Sequence, residues 1–178
     1  MKLNTNNKIN FLRSKGFTLI ELIVVIAIIA VLASITITTL SAARAKTRDA
    51  YRYQSLVQLR TAINRYFTEN GSYPSTGGAW YSSEPGDTAG SYNADWVPGL
   101  VAAKMIPALP RDPQGGVNTI NCVGGQMRAF LYRSNGTNFK LISNCAVEGV
   151  ILNSSQWYDQ ARTTSIQTTD NPAITALW

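Results

Sequence analysis

One apolar run near the N-terminus constrains this sequence more than any other feature. Residues 17–37 read FTLIELIVVIAIIAVLASITI and carry a single charge, on Glu21. Because a helix rises about 1.5 Å per residue, the run is long enough to cross the roughly 30 Å hydrocarbon core of a bilayer. Basic residues precede the run and predict a cytoplasmic N-terminus: Lys2, Lys8, Arg13 and Lys15. The run therefore predicts a single-pass membrane precursor whose later residues are exported.

The chain beyond the apolar run predicts a second segment of the same helix. Residues 42–70 contain neither Gly nor Pro. Their apolar residues recur at three- and four-residue spacing, which is typical of an amphipathic helix: Tyr53, Leu56, Leu59, Ile63 and Tyr66, with Val57 and Phe67 widening the stripe. Asn70-Gly71 and Pro74 predict the helix end. If the two segments join, one helix of roughly 80 Å runs from Phe17 to about Asn70.

After the helix, the sequence predicts irregular chain and then a hairpin. Residues 71–98 are rich in Gly, Ser and Pro and predict a long loop, residues 97–106 are compatible with a short helix, and three prolines then favour extended chain: Pro107, Pro110 and Pro113. Asn135-Gly136 predicts a two-residue hairpin turn. Residues 148–152 are a further candidate strand, whereas residues 154–178 give no assignment.

The hairpin predicted around this turn has two different faces. Its register pairs Tyr132 with Phe139 and Phe130 with Leu141, so all four side chains share one face. We expect that apolar face to pack on the helix stripe. The other face is predicted to be wetter, since it carries polar residues: Arg133, Asn138 and Lys140.

The chain has no histidine and two cysteines, Cys122 and Cys145. The lack of histidine excludes Ser-His and Cys-His catalysis and His-ligated metal sites. The sequence shows no convergent acid pair and no phosphate-binding loop, so we expect no enzyme, no cofactor and no metal. Two cysteines in an exported domain usually pair. A bridge at the open end of the hairpin would add about 3 kcal/mol in the chain-entropy view, although redox or metal roles are the alternatives.

Glu21 needs an explanation, because a carboxylate in a membrane helix costs about 2.5–3.5 kcal/mol at the helix centre and less near an end. Cleavage after Gly16 would create a positive α-amino group at Phe17, four residues away. That amine, on the same chain or on a neighbouring copy, would be a partner for the carboxylate. The position of Glu21 therefore favours a chain that is cut at Gly16 and packed beside copies of itself.

The segment from Lys15 to Ala33, which begins KGFTLIE, resembles the type IV filament superfamily of type IV pilins and type II secretion pseudopilins. The resemblance implies cleavage after Gly16 by a membrane prepilin peptidase, N-methylation of Phe17 and a role for Glu21 in guiding assembly. It also implies an α+β fold, in which a long N-terminal helix packs on a small antiparallel sheet.

The resemblance implies four parts: a leader peptide (1–16), a hydrophobic transmembrane and assembly helix (17–40), an amphipathic helix (41–71) and a globular head (72–178). The implied function is a structural subunit of a pilus-like filament. Before assembly the precursor would sit in the inner membrane among lipid. Its partners would be its own copies in a periplasmic or cell-surface filament, the prepilin peptidase, and an inner-membrane assembly platform with its ATPase.

Several alternatives stay open at the level of sequence. Residues 66–74 and 109–113 resemble pseudopilins of type II secretion, but the acidic residues near the C-terminus are too widely spaced for the calcium site of that group: Glu148, Asp159 and Asp170. The net charge of +6 and the arginines at 44–52 raise DNA uptake, with nucleic acid as a partner. Aromatic residues of the 71–98 loop raise surface binding. An uncleaved anchor and a secretory signal cut after residues 43–45 complete the alternatives.

Overall fold

The computed structural model of the chain describes residues 16–116, 122, 124–145, 148 and 165–169, with the side chains of residues 35–39 excepted. Helix α1 spans Leu19–Asn70. The strands are β1 (Tyr81–Ser82), β2 (Ser91–Tyr92), β3 (Ala129–Ser134), β4 (Phe139–Asn144) and β5 (Ile166–Thr169). The sheet has the order β2-β1-β3-β4-β5. The α+β class is confirmed, but the sheet is mixed, because β1 and β2 are parallel while the other pairs are antiparallel.

The chain divides into two compact units, Met1–Ser41 and Ala42–Trp178. Most of the predicted leader, residues 1–15, lies outside the described residues. In the first unit, the apolar segment of α1 (residues 19–34) has exposed side chains throughout. The predicted membrane span of residues 17–37 is not confirmed: within the part of the chain that the structure describes, no helix is both long and apolar enough to cross a membrane.

In the second unit, the amphipathic segment of α1 (residues 42–70) packs on the sheet through the predicted stripe. Leu56, Leu59 and Ile63 are fully buried, and Tyr53 and Tyr66 are half-buried beside them. They meet the predicted apolar face of the hairpin, which is also fully buried: Phe130, Tyr132, Phe139 and Leu141. The stripe is therefore confirmed, with Val57 and Phe67 at its exposed edges.

The helix ends where the sequence predicts, at Asn70. Gly71 follows in the left-handed region with φ 74°, a conformation that glycine adopts without strain. The Gly71 N–H donates to the carbonyl of Phe67 at 2.8 Å and so satisfies one of the last carbonyls of the helix.

The predicted register of the hairpin is wrong by two residues. Tyr132 pairs with Leu141, and Ser134 pairs with Phe139. The connection is longer than a two-residue turn, because Asn135 Oδ1 accepts hydrogen bonds from the N–H groups of Thr137 at 3.0 Å and Asn138 at 2.9 Å. Side chains alternate between faces with a period of two, so a shift of two residues leaves each face unchanged.

The second face of the hairpin, which was predicted to be wetter, is more buried than expected, although Arg133 and Asn138 on it are only half-buried. Ala129, Leu131 and Ile142 form a small apolar cluster there, and Trp80 and Ala89 pack against it. These two residues come from the predicted loop at 71–98, which also contains β1 and β2. Even Lys140 on this face is only 1% exposed. Trp80 and Ala89 of this loop therefore cover part of the second face of the hairpin.

The short helix predicted at residues 97–106 is replaced by successive turns. Their end has the hydrogen bonds of a Schellman motif, from Met105 N–H to Leu100 O at 3.1 Å and from Lys104 N–H to Val101 O at 2.9 Å. Lys104 occupies the left-handed position with φ 58°.

Two predictions concern the C-terminal part of the chain. Of the candidate strand at 148–152, only Glu148 is described, and it is not in a strand; the rest lies outside the described residues. Strand β5 lies within residues 154–178, where the sequence pattern predicts no element, and pairs with β4 through Leu141–Thr168 and Ile142–Gln167.

Candidate processing and assembly site

The start of helix α1 is organised by a reciprocal pair of hydrogen bonds between Thr18 and Glu21. The Thr18 N–H donates to Glu21 Oε2 at 2.8 Å, and the Glu21 N–H lies 3.3 Å from its acceptor, Thr18 Oγ1. The Thr18 hydroxyl also donates to Glu21 Oε2 at 2.7 Å. This is the capping-box arrangement, in which the N-cap and the third helical residue satisfy each other's backbone groups.

Sequence reasoning missed this second role of Glu21, although Thr18-Leu19-Ile20-Glu21 fits the capping pattern. In the single chain, the carboxylate already accepts two hydrogen bonds from Thr18 and lies at the positive end of the helix dipole. Glu21 is therefore held in place before any amine or second chain is present.

The peptide bond between Gly16 and Phe17 lies just before this cap, in chain without regular secondary structure. Both residues are exposed, and the Phe17 side chain is 87% exposed. Among the described residues, a Cβ added to Gly16 would meet no atom within 4 Å. Packing among the described residues therefore does not require glycine at position 16.

The apolar segment that follows carries large aliphatic side chains on every side of the helix. All of those described are about half exposed or more: Leu19, Ile20, Leu22, Ile23, Val24, Val25, Ile26, Ile28, Ile29, Val31 and Leu32. A helix that is hydrophobic all round is typical of buried surroundings. An exposed apolar surface of this extent marks a site for lipid or for other protein chains.

The comparisons with known proteins concern this same region. A family model described as the prokaryotic N-terminal methylation motif matches residues 12–37. The chain carries the type IV prepilin signature. The match supports the type IV filament superfamily. No curated protein and no solved structure gives a significant match.

The prepilin signature covers the residues predicted for processing and assembly. In the structure, Gly16 and Phe17 lie just before helix α1, and Glu21 lies in its first turn. Cleavage at Gly16, methylation of Phe17 and pairing of Glu21 with an amine stay predictions. The same signature fits a membrane-anchored precursor.

The arginines at 44–52, outside the prepilin signature, are only partly available to a nucleic acid. Arg44 is exposed, but the Arg52 side chain is fully buried and binds Asp112, with Nε to Oδ2 at 2.7 Å and Nη2 to Oδ1 at 2.9 Å. Arg48 binds the carboxylate of Glu148. Sequence reasoning treated these arginines as surface groups and missed their carboxylate partners, which are distant in the chain.

The two cysteines flank the hairpin in the sequence, Cys122 before β3 and Cys145 after β4. Cys145 directly follows β4, is buried, and donates its backbone N–H to Ser165 Oγ at 3.1 Å. Cys122 is half-buried. The predicted Cys122–Cys145 bridge stays a prediction. Within the described residues, no group of three or more His, Cys, Asp or Glu side chains could hold a metal ion.

Proposed function

We propose that the chain is the precursor of a structural subunit of a type IV pilus-like filament, cut after Gly16 and assembled through the apolar segment of α1. The observation that carries this proposal is the N-terminal methylation motif at residues 12–37. It coincides with an exposed Gly16–Phe17 bond and with a carboxylate fixed at the helix start. In this proposal, the exposed Gly16–Phe17 bond is the cleavage site, and the Glu21 carboxylate guides assembly.

Processing is the first proposed step. Prepilin peptidase hydrolyses the Gly16–Phe17 amide and leaves a new α-amino group on Phe17, which is then methylated. The exposure of both residues and the lack of regular structure around the bond support this step, because a protease needs extended and accessible chain. The precursor would sit in the inner membrane with residues 1–16 in the cytoplasm.

Assembly is the second proposed step. Lipid covers the apolar segment before assembly, and the same segments of neighbouring copies cover it afterwards. Lipid tails are as apolar as leucine, so exchanging lipid for protein gives little hydrophobic free energy. A polar interaction must then supply direction, and Glu21 with the Phe17 amine of a neighbouring copy would supply it. In the single chain, hydrogen bonds from Thr18 keep the Glu21 carboxylate in position for that amine.

The second candidate function is a pseudopilin of type II secretion, which would form a periplasmic filament for protein export. The resemblance at residues 66–74 and 109–113 favours it. Both candidates need an inner-membrane assembly platform and a partner ATPase, since the sequence contains no phosphate-binding loop. Fibres on the cell surface at native expression would support the pilus, and filaments confined to the periplasm would support the pseudopilus.

The experiment that tests assembly compares Glu21→Gln with Glu69→Gln in the native host. Glu69 is a matched control, because its carboxylate is exposed on the same helix and binds Arg65 at 3.0 Å. We expect Glu21→Gln to be cut normally and to reduce the fibre fraction by about tenfold or more, as expected when a charge interaction of roughly 1.4 kcal/mol or more is lost. Glu69→Gln should assemble normally. Wild-type fibre yield from Glu21→Gln would contradict the proposed role of the carboxylate.

A further inference from the structure

The tip of the hairpin between β3 and β4 carries a triplet that the proposed filament function does not explain. Residues 135–137 are Asn-Gly-Thr, which has the form Asn-x-Ser/Thr with a residue other than proline in the middle. In exported proteins, this form is the acceptor for a sugar on the asparagine, and it lies in surface loops. The sequence has two more such triplets, at residues 70–72 and 153–155, of which the second lies outside the described residues.

The hairpin tip is held in place through the middle residue of the triplet. The Gly136 carbonyl accepts a hydrogen bond from the N–H of Tyr73 at 2.8 Å, and the Gly136 N–H donates to Ser134 Oγ at 3.0 Å. Gly136 has φ 90°, a conformation that glycine adopts without strain. Gly136 is half-buried, whereas Asn135 and Thr137 on either side of it are exposed. The fold therefore leaves accessible the two residues of the triplet that define it as an acceptor.

The side-chain amide of Asn135 uses its oxygen in the turn and leaves its nitrogen available. Oδ1 accepts hydrogen bonds from the N–H groups of Thr137 at 3.0 Å and Asn138 at 2.9 Å. Within the described part of the chain, neither Asn135 Nδ2 nor Thr137 Oγ1 makes a hydrogen bond. A sugar on Nδ2 replaces one hydrogen and leaves Oδ1 unchanged. Both hydrogen bonds of the turn are therefore compatible with the modification.

The triplet at residues 70–72 differs from the one at the hairpin tip in this respect. Asn70 is the last residue of α1, and its Nδ2 donates to the carbonyl of Tyr66 at 2.9 Å. The nitrogen that would carry the sugar is thus already bound to the backbone of the last helical turn. A sugar on this nitrogen would compete with that hydrogen bond. Of the two triplets that the structure describes, it favours residues 135–137.

We propose that Asn135 is an attachment site for an N-linked sugar, which a transferase takes from a lipid-linked sugar phosphate. Asn135 Nδ2 forms a bond to the anomeric carbon of the sugar, and the bond between that carbon and the phosphate oxygen breaks. The lipid phosphate leaves with the electron pair, and one proton of Nδ2 passes to a base of the transferase. The transferase recognises Thr137 as the third residue of the triplet. This inference rests on the proposed function for one point, the export of the second unit.

Peptide mass mapping of the full chain, purified from its native cell envelope, tests the proposal. We expect the tryptic peptide of residues 134–140 to carry the mass of at least one sugar. Asn135→Asp keeps an oxygen acceptor for the turn but removes Nδ2, so the added mass should be lost completely. Thr137→Ala should also lose it, whereas Thr137→Ser keeps the hydroxyl group and should retain it. Asn138→Gln is the matched control within the same peptide and should leave the sugar in place.

Three results would overturn the proposal: an unmodified peptide in the wild type, a sugar that persists in Asn135→Asp, or a sugar that mild alkali releases, because such a sugar is bound to a serine or threonine oxygen. Asn70→Gln should leave the sugar in place. The N-terminal peptide of the same digest reports cleavage after Gly16 independently. A failure of the proposed processing is therefore distinguished from a failure of the sugar attachment.

Discussion

The two segments of helix α1 have the same backbone structure and opposite side-chain environments. In the apolar segment, large aliphatic residues such as Ile28 are 55% exposed in the single chain. In the amphipathic segment, Leu56, Leu59 and Ile63 are fully buried, and so is Arg52. The apolar segment, which is the more hydrophobic, is thus left uncovered by the described residues of its own chain. We propose that other molecules cover its surface, whereas the amphipathic segment is covered by its own sheet.

The two segments of the helix are therefore stabilised by different interactions. Burial of aliphatic side chains against the sheet stabilises the amphipathic segment during folding, and charge pairs around Arg52 fasten its start. The apolar segment gains this kind of free energy only when lipid or neighbouring chains cover it. Substitutions in the two segments should therefore affect different measurements, folding stability in one case and assembly in the other.

The largest expected effect on stability comes from Arg52→Met. The substitution leaves the Asp112 carboxylate, whose side chain is fully buried, without its cation. Removing one partner of a buried ion pair typically costs about 3–5 kcal/mol. The free energy of unfolding of the second unit, measured with denaturant, should fall by that amount. Arg65→Met breaks an exposed pair with Glu69 and should change it by less than about 1 kcal/mol.

A double variant sharpens this result. Arg52→Met combined with Asp112→Leu removes both charges of the pair, so part of the lost stability should return. A double variant that is as unstable as the two single losses added together would show that the two side chains act independently.

A matched pair of truncations tests whether the two segments of α1 contribute to different processes. Leu59→Ala removes buried methyl groups and should lower the free energy of unfolding by about 2–5 kcal/mol. Ile28→Ala should leave unfolding of the second unit unchanged, because its side chain is exposed in the single chain, but it should reduce the yield of filaments. The comparison fails if Ile28→Ala destabilises the second unit as much as Leu59→Ala does.

The smallest expected effect concerns a loop of the second unit. Lys104 occupies the left-handed position of the Schellman motif, where glycine carries no steric penalty. Lys104→Gly should therefore raise the melting temperature slightly, by an amount equivalent to at most about 1 kcal/mol. Lys104→Val should lower it, since a β-branched residue resists this conformation.

The parts of the fold that follow from short-range patterns could be predicted from the sequence. The spacing of Leu56, Leu59 and Ile63 identified the buried stripe, and Asn70-Gly71 identified the helix end. The faces of the hairpin also followed from alternation. Its register did not, because the Asn135 side chain stabilises a longer turn by hydrogen bonds that a two-residue motif does not show.

Features that depend on residues distant in the chain could not be predicted. Arg52 reads as a solvated helix residue until Asp112 and Glu148 are placed beside it. The burial of Lys140 likewise depends on the 71–98 loop, whose Trp80 packs on the second face of the hairpin. At the candidate site, the prepilin signature was readable from Lys15 onward because its residues are adjacent, and the capping role of Thr18 could have been read in the same way.

Processing at Gly16 is tested by the intact mass of the protein purified from its native cell envelope, together with sequencing of its N-terminus. We expect a chain that begins at Phe17 and carries one additional methyl group on its α-amino nitrogen. A chain that begins at Met1 would show an uncut membrane protein, and one that begins at Lys46 would show removal of a secretory signal. Either result would contradict the filament function and the role proposed for Glu21.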